Sequence, residues 1–216
     1  RISDWSSDVC SSDLWDEALK RDAAGRKKEL SEEIGWIESR RGDMLGFWSK
    51  VEEGTIPTRV THNDTKINNI LFDRQGEVLC AIDLDTVMAS TSLNDFGDAI
   101  RSYANTGDED DRDLSRVGLS LEMFRAYTEG YLSQRAKQLT DSEIDHLAFS
   151  TRYITFEQVL RFLMDYIDGD TYYKVKYPGH NLVRTHAQYR LLQSMEEHYG
   201  EMCRIVRETV DKYRKA

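Results

Sequence analysis

A polar loop of the form His-x-Asp-x-x-x-x-Asn constrains this chain more than any other feature of its sequence. The fixed positions of the loop are His62, Asp64 and Asn69. It runs directly into a short apolar segment, and a second apolar segment begins after an Arg-Gln-Gly turn and ends on Asp83. Two apolar runs joined by a glycine-containing turn predict a β-hairpin. The hairpin is expected to bring Asp83 back beside Asn69, so that two carboxylates and one amide converge.

These side chains, at this spacing, suit the transfer of a phosphoryl group from a nucleotide to a hydroxyl. The reaction needs a group that orients the acceptor hydroxyl and oxygen ligands that hold Mg²⁺ against the phosphates. We assign Asp64 as the orienting base, and Asn69 and Asp83, five and nineteen positions later, as metal ligands. The catalytic loop and metal-binding aspartate of kinases have this spacing. Asp85 is either an auxiliary metal ligand or a turn residue.

Two other side chains of the loop have expected roles. Lys66 is expected to face the transferring phosphate as a point charge, and His62 to brace the loop through hydrogen bonds. His, Asp and Asn are also common in ordinary turns, so the loop by itself gives weak support. Its position between apolar runs, with Asp83 at the end of the second one, favours the catalytic interpretation.

Asp95-Phe96-Gly97 has the letters of the metal-binding tripeptide of protein kinases, but its position differs. It begins thirty-one residues after Asp64 and follows a polar segment rather than an apolar strand. We therefore predict that Asp95 either caps a helix that opens around Asp98 or braces the catalytic loop, and that it does not bind metal.

Taken together, the motifs resemble those of the aminoglycoside phosphotransferase and choline kinase superfamily, and more narrowly its N-acetylhexosamine 1-kinase branch. The resemblance covers roughly Trp15 to the C-terminus. It implies a mostly helical α+β fold like the C-terminal lobe of a protein kinase, with a small central β-hairpin, Mg²⁺ as cofactor and ATP as phosphoryl donor. The segments that carry it are residues 61–69, 82–88, 95–101, 161–166 and 169–173.

The resemblance also implies the acceptor. Arg161, Tyr172 and Tyr173 match sugar-contacting positions of the hexosamine kinase branch, and an arginine fork with aromatic faces suits a ring that bears hydroxyls and an N-acetyl group. The implied reaction is phosphorylation of an N-acetylhexosamine at its anomeric hydroxyl. The residues alone favour a plainer interpretation, a surface helix on which Arg161, Asp165 and Asp168 form salt bridges.

Two alternative functions remain open. One is phosphorylation of another small alcohol, an aminoglycoside or an amino alcohol, by an enzyme of the same superfamily. The other is a non-catalytic domain that keeps the kinase-like fold and only binds a partner.

Composition limits the partners and the compartment. A net charge of −10 over 216 residues argues against nucleic acid or an anionic membrane as the main partner. The partners that the resemblance implies are a small sugar and a nucleotide. Three widely separated cysteines match no metal-ligand spacing and fit a reducing cytoplasm better than a disulfide scaffold. No apolar run approaches the length of a membrane span.

The residues ahead of Asp64 differ from the N-terminal lobe of a kinase. Residues 1–14 have no helical or strand period, and they are expected to be a disordered tail or, because they resemble translated sequencing-adapter read-through, non-native residues ahead of a domain spanning 15–216. Kinases carry a strand-rich lobe with a glycine loop ahead of the catalytic loop. The residues before Asp64 are predicted to be mostly helical, so this lobe is expected to be absent and the chain alone to be inactive.

Helical patterns dominate the remainder of the chain. We predict one helix that contains Leu114 to Tyr131. A second is predicted to open at a capping box that begins at Thr140 and to end at Gly169. The region from about Asn181 to Arg214 is predicted to be one long helix or two helices divided at Gly200.

Overall fold

The computed structural model describes residues 12–215, so the prediction for the tail falls mainly on residues that lie outside the described range. Ser12 to Leu14, which the sequence assigned to that tail, form the start of the first helix. Within the described range the structure has seven α-helices and two small antiparallel sheets. The helices are α1 (Ser12–Arg21), α2 (Ser31–Glu52), α3 (Ser92–Tyr103), α4 (Leu121–Arg135), α5 (Asp141–Ile167), α6 (His180–Glu197) and α7 (Tyr199–Arg214).

The polar loop connects the two sheets, because it follows β1 and precedes β2 in the chain. The strands are β1 (Arg59–Thr61), β2 (Ile70–Phe72), β3 (Val78–Ala81) and β4 (Met88–Ser90), paired as β2 with β3 and β1 with β4. The predicted hairpin is the β2–β3 pair, in which Ile70 opposes Ala81. The β1–β4 pair was not predicted, because its two strands have three residues each and lie far apart in the sequence. The mostly helical α+β fold is confirmed.

The long helix α5 forms the centre of the fold and packs against both α3 and α6. Its start follows the predicted capping box, in which the Thr140 hydroxyl accepts from the Glu143 amide and the Glu143 carboxylate accepts from the Thr140 amide. Its end also matches the prediction, because Gly169 adopts a left-handed conformation with φ of 95° just beyond the last turn. Local sequence signals therefore set both ends of the central helix.

Two helix boundaries differ from the predictions. Leu114–Arg116 form a separate 3-10 turn, and the helix begins only at Leu121, where the side chain of Ser120 caps it. The C-terminal region is divided at His198 rather than at Gly200. Within residues 12–215, no helix combines the length and apolar character needed to cross a membrane.

Helices α3 and α5 approach each other closely at Gly97. A Cβ atom at this position would lie 2.5 Å from the backbone oxygen of Ser150 and 2.8 Å from a side-chain carbon of Ile154. The glycine of the Asp-Phe-Gly tripeptide therefore permits helix packing.

We expect Gly97→Ala to lower the free energy of unfolding by about 1–3 kcal/mol, because backbone on α5 must move to admit a methyl group. Gly130→Ala is the matched control, since Gly130 also lies inside a helix but has open space around its Cα. The control should be neutral or slightly stabilising, because alanine favours helix over glycine. Urea unfolding of both variants measures the difference, and equal stabilities would contradict the close-packing interpretation.

The side chain of Glu143 joins β1, α3 and α5. Arg59 donates to both of its oxygens at 2.6 and 2.7 Å, and Ser92 donates to Oε1 at 2.8 Å. Burial by itself raises the pKa of Glu143, but the hydrogen bonds from Arg59, the Thr140 amide and Ser92 outweigh it and hold the pKa at about 2. The ionised carboxylate therefore stabilises the folded chain.

We predict that Glu143→Gln costs about 2 kcal/mol of unfolding free energy near neutral pH, because charge-assisted hydrogen bonds are lost. The folded pKa lies below the ordinary value of 4.5, so this contribution is complete above pH 4.5 and disappears as the pH falls towards 2. Chemical denaturation of wild type and variant from pH 7 to pH 2.5 should show the two stabilities converging. A constant difference across this range would refute the ionised clamp.

Candidate active site

Asp95 on α3 holds the polar loop through hydrogen bonds to its backbone. Its Oδ2 accepts from the His62 amide at 3.0 Å, and its Oδ1 accepts from the Asn63 amide at 2.7 Å. Asp95 therefore braces the catalytic loop, and both of its oxygens are occupied by backbone donors. The alternative, that it caps the helix, is wrong, because α3 begins at Ser92 with Thr91 as its cap. Burial raises the pKa of Asp95, although the two amides act to lower it.

Three other hydrogen bonds fix the backbone of the loop. Thr65 donates to the carbonyl oxygen of Asp95 at 2.7 Å, and Thr86 donates to that of His62 at 2.7 Å. Asn63 adopts a left-handed backbone conformation with φ of 60°, and its side-chain nitrogen Nδ2 donates to the carbonyl of Thr86 at 3.1 Å. A non-glycine residue needs support from its surroundings to stay in the left-handed conformation, and this side-chain contact supplies it.

The imidazole of His62 ties the loop to the hairpin. Its Nδ1 accepts from the Asp64 amide at 3.3 Å, so the proton lies on Nε2, which donates to the Ile82 carbonyl at 2.9 Å. These contacts are of the bracing kind that the sequence predicts for His62.

The Asp64 carboxylate is oriented by two side chains. Lys66 Nζ donates to Asp64 Oδ2 at 2.6 Å, and the amide nitrogen of Asn69 donates to the same oxygen at 2.8 Å. Both contacts use Oδ2, so Oδ1 is the oxygen that can receive a proton from an alcohol. The side-chain nitrogen of Asn69 donates to Asp64, so the side-chain oxygen is the atom of Asn69 assigned to the metal.

The hairpin places Asp83 next to Asn69. The amide of Ile82 donates to the carbonyl of Asn69 at 2.9 Å, and Asp83 follows with a left-handed φ of 64°. Asp85 lies two residues further on, within the 3-10 turn Leu84–Thr86. Strained backbone of this kind concentrates at functional positions.

The candidate metal ligands are amide and carboxylate oxygens, which suit Mg²⁺. No group of three or more His, Cys, Asp or Glu side chains arranged for a metal ion occurs in the part of the chain that the structure describes. Mg²⁺ commonly takes only one or two carboxylates together with substrate phosphates. Asn69 and Asp83, with Asp85 nearby, therefore fit the cation without a larger acidic cluster.

The structure brings together the three residues assigned to the acceptor. The guanidinium carbon of Arg161 lies 5.8 Å from the ring centres of both Tyr172 and Tyr173, whose rings meet edge to face at 4.8 Å. The Arg161 side chain is only 12% exposed and pairs with Glu157, one turn earlier, at 3.8 Å. The surface-helix interpretation is wrong for Asp165, which is buried among backbone donors.

A charged pair on α3, Asp98 and Arg101, lies next to the catalytic loop. Asp98 Oδ2 lies 3.5 Å from the hydroxyl of Thr65, and Asp98 Oδ1 accepts from Arg101 at 2.9 Å. Burial raises the pKa of Glu157, and the neighbouring Arg161 acts to lower it. The loop and α5 both contact α3. Sequence reasoning missed Glu157, and its position one turn before Arg161 is the only local signal for it.

A polar cavity of about 290 Å³ adjoins Lys66, and Arg101, Glu109 and Gln188 lie in its wall. Arg101 donates to Glu109 at 2.9 Å and to the Gln188 side-chain oxygen at 3.4 Å. The contact with Arg101 shows which side-chain atom of Gln188 is the oxygen, because arginine offers only donors. The Nε2 atom of Gln188 is buried and has no acceptor among residues 12–215. The cavity is therefore lined by charged and amide groups.

One protein-family comparison bears on these residues. The model described as APH, phosphotransferase enzyme family, matches residues 11–132, which is more than half of the 216 residues. The matched span includes the loop, the hairpin and α3, and it ends before α5. The superfamily resemblance is thereby confirmed at the level of the family, with the base and the candidate metal ligands inside the match. The chain belongs to the phosphotransferase enzyme family.

Proposed function

We propose that this chain supplies the base, the metal ligands and the acceptor site of an ATP-dependent kinase that phosphorylates a sugar at the anomeric hydroxyl of an N-acetylhexosamine. The observation that carries the proposal is the Asp64 carboxylate, which Lys66 and Asn69 hold through one oxygen while the other remains available. The hairpin returns the chain to Asn69 just before Asp83, through the Ile82 amide. We therefore assign the base, the cationic group and the metal ligands to this loop and to the hairpin that follows it.

Each group has a defined part in the proposed transfer. Asp64 orients the acceptor hydroxyl and takes its proton as the oxygen bonds to the γ-phosphorus of ATP and the bond to ADP breaks. Lys66 places a positive charge beside the phosphoryl oxygens. Asn69 and Asp83 would hold Mg²⁺, which when bound would supply positive charge against the nucleotide phosphates.

The acceptor face supports a neutral sugar. Arg161 offers several donors to ring hydroxyls or to an N-acetyl carbonyl, and the exposed ring of Tyr172 offers an apolar face. An ammonium group placed there would be repelled by Arg161. Carboxylates at Asp108 and Glu109 in the cavity wall favour the second candidate, a cationic aminoglycoside.

We also propose that a further lobe covers the hairpin in the active protein. Four large apolar side chains on and around the hairpin are more than half exposed, an unusual concentration for a solvent-facing surface. The described residues contain no strand-rich unit with a glycine loop. The 216-residue chain by itself should therefore show little turnover, because residues 12–215 include no unit that would cover the nucleotide. The exposed side chains are Val60, Val78, Leu79 and Leu84.

Asp83→Asn, made in the full-length gene product that contains this chain, should reduce ATP-dependent phosphorylation by roughly tenfold to a hundredfold and raise the Mg²⁺ concentration needed for half-maximal rate. Asp95→Asn is the control for the metal assignment, because it removes a loop brace and no metal ligand, so it should lower thermal stability and leave the Mg²⁺ concentration for half-maximal rate unchanged. Product formation followed by ³¹P NMR against Mg²⁺ concentration measures both. Near-normal turnover and metal dependence of the Asp83 variant would remove the metal assignment.

Arg161→Ala in the same protein should raise KM for N-acetylglucosamine at least about tenfold and leave KM for ATP unchanged, since a lost polar contact affects the substrate it touches. Arg152→Ala is the matched control. Arg152 lies on the opposite face of α5, where it contacts Glu196 and the ring of Tyr199. Equal changes in both KM values for the Arg161 variant would indicate a structural role, and activity only on aminoglycosides would favour the second candidate.

A further inference from the structure

We propose that Asp165, a buried carboxylate on α5, is the positioning residue that sets Tyr172 and Tyr173 beside Arg161 in the acceptor site. The inference rests on the proposed function, because it takes the Tyr172–Tyr173 loop to be part of that site. Asp165 itself is 6% exposed and is not placed in contact with the substrate.

Three consecutive backbone amides converge on this carboxylate. Oδ1 accepts from the amides of Thr171 and Tyr172, both at 2.8 Å, and Oδ2 accepts from the amide of Tyr173 at 3.0 Å. The side-chain amide of Asn181 donates to Oδ2 at 2.8 Å. Four donors compensate the cost of burying the charge. A single side chain thereby determines the path of the backbone that carries both tyrosines.

The backbone before the tyrosines turns sharply around Asp165. Gly169 and Asp170 are both left-handed, with φ of 95° and 61°, and the Asp170 amide donates to the carbonyl oxygen of Asp165 at 2.7 Å. The Asp170 side chain is held on both oxygens, by Asn181 at 2.9 Å and by Arg26 at 2.7 Å. The strained turn is therefore supported by contacts from α6 and from the α1–α2 connection.

The outer side of the loop is also clamped. Arg26 donates to the carbonyl of Tyr166 at 2.8 Å and stacks over its ring at 4.3 Å. Arg21 donates through Nε to Asp168 at 3.0 Å. Asp165 therefore holds the backbone of residues 171–173, and the two arginines hold residues 166–170 ahead of them.

The two rings lie differently as a result. The ring centre of Tyr173 lies 4.8 Å from that of Phe162, and the Tyr173 hydroxyl accepts from the side-chain nitrogen of Gln158 at 3.3 Å. This ring is therefore the inner wall of the proposed acceptor site. Tyr172 is 60% exposed, so its ring stays open to a ligand. A ring fixed before binding loses less conformational entropy when the ligand arrives. Asp165 therefore acts on acceptor affinity through the position of these tyrosines.

Hydrogen exchange of the 216-residue chain tests the positioning without any ligand. In Asp165→Asn one oxygen becomes an NH₂ group, so two of the four donors lose their acceptor. We expect the amides of residues 171–173 to lose protection by at least about tenfold, with α5 and α6 unchanged. Asp145→Asn is the matched control, because it changes an exposed carboxylate near the other end of the same helix. Unchanged protection at 171–173 in Asp165→Asn overturns the inference.

Calorimetric titration with N-acetylglucosamine then tests the link to the acceptor. Asp165→Asn should bind the sugar on the order of tenfold to a hundredfold more weakly than wild type, with the control close to wild type. Unaltered affinity overturns the inference. Failure of wild type to bind the sugar is a failure of the proposed acceptor instead, and hydrogen exchange then decides the positioning by itself.

A second variant applies if Asp165→Asn does not fold. Asn181→Ser removes the side-chain donor shared by Asp165 and Asp170 and leaves the three backbone contacts in place. It should weaken sugar binding several-fold and raise exchange at residues 171–173 by a smaller factor. Wild-type values for both measurements would overturn the inference.

Discussion

The hydrogen bonds from the amides of His62 and Asn63 to the Asp95 carboxylate are the interaction on which the candidate site depends. They attach a loop with few apolar contacts to a helix that is anchored in the core. Together with the hydrogen bonds from the Thr65 and Thr86 hydroxyls, they fix the backbone that carries Asp64. Asp165 shows the same arrangement in the proposed acceptor loop, where another helical carboxylate accepts from three consecutive amides. Asp95 is half-buried and Asp165 is buried, and in both places backbone donors compensate the carboxylate and the carboxylate fixes the loop.

Helix α5 relates these loops to each other. Near its start, Glu143 joins Arg59 of β1 to Ser92 of α3, and so holds the strands and helix that flank the catalytic loop. In its second half, Arg161 pairs with Glu157. The same helix therefore carries contacts beside the catalytic loop and a residue proposed to contact the acceptor, about one hundred residues after Asp64 in the sequence. The close contact between α5 and α3 at Gly97 fixes the position of the two helices relative to each other.

The family match divides the site into two parts. The span that matches, residues 11–132, contains the base, the cationic side chain and the metal ligands. The groups proposed to recognise the acceptor lie on α5 and the loop after it, beyond the matched span. Phosphoryl-transfer chemistry is therefore supported by membership of the family, whereas recognition of an N-acetylhexosamine is argued from the geometry of Arg161 and the paired tyrosines. The exposed hairpin, with Val78 and Leu79 facing outwards, belongs to the first part.

The sequence by itself determined those features whose physical causes are local. The spacing of the polar loop, the turn of the hairpin, the capping box at Thr140 and the left-handed Gly169 each depend on neighbouring residues, and the structure contains all four. Only the tertiary structure decided the β1–β4 pairing, the start of α4, and the choice between capping and bracing for Asp95. It also decided the burial of Asp165, which the helical spacing had placed among surface salt bridges. These outcomes depend on partners distant in sequence, because a buried carboxylate must find donors wherever the packed chain brings them.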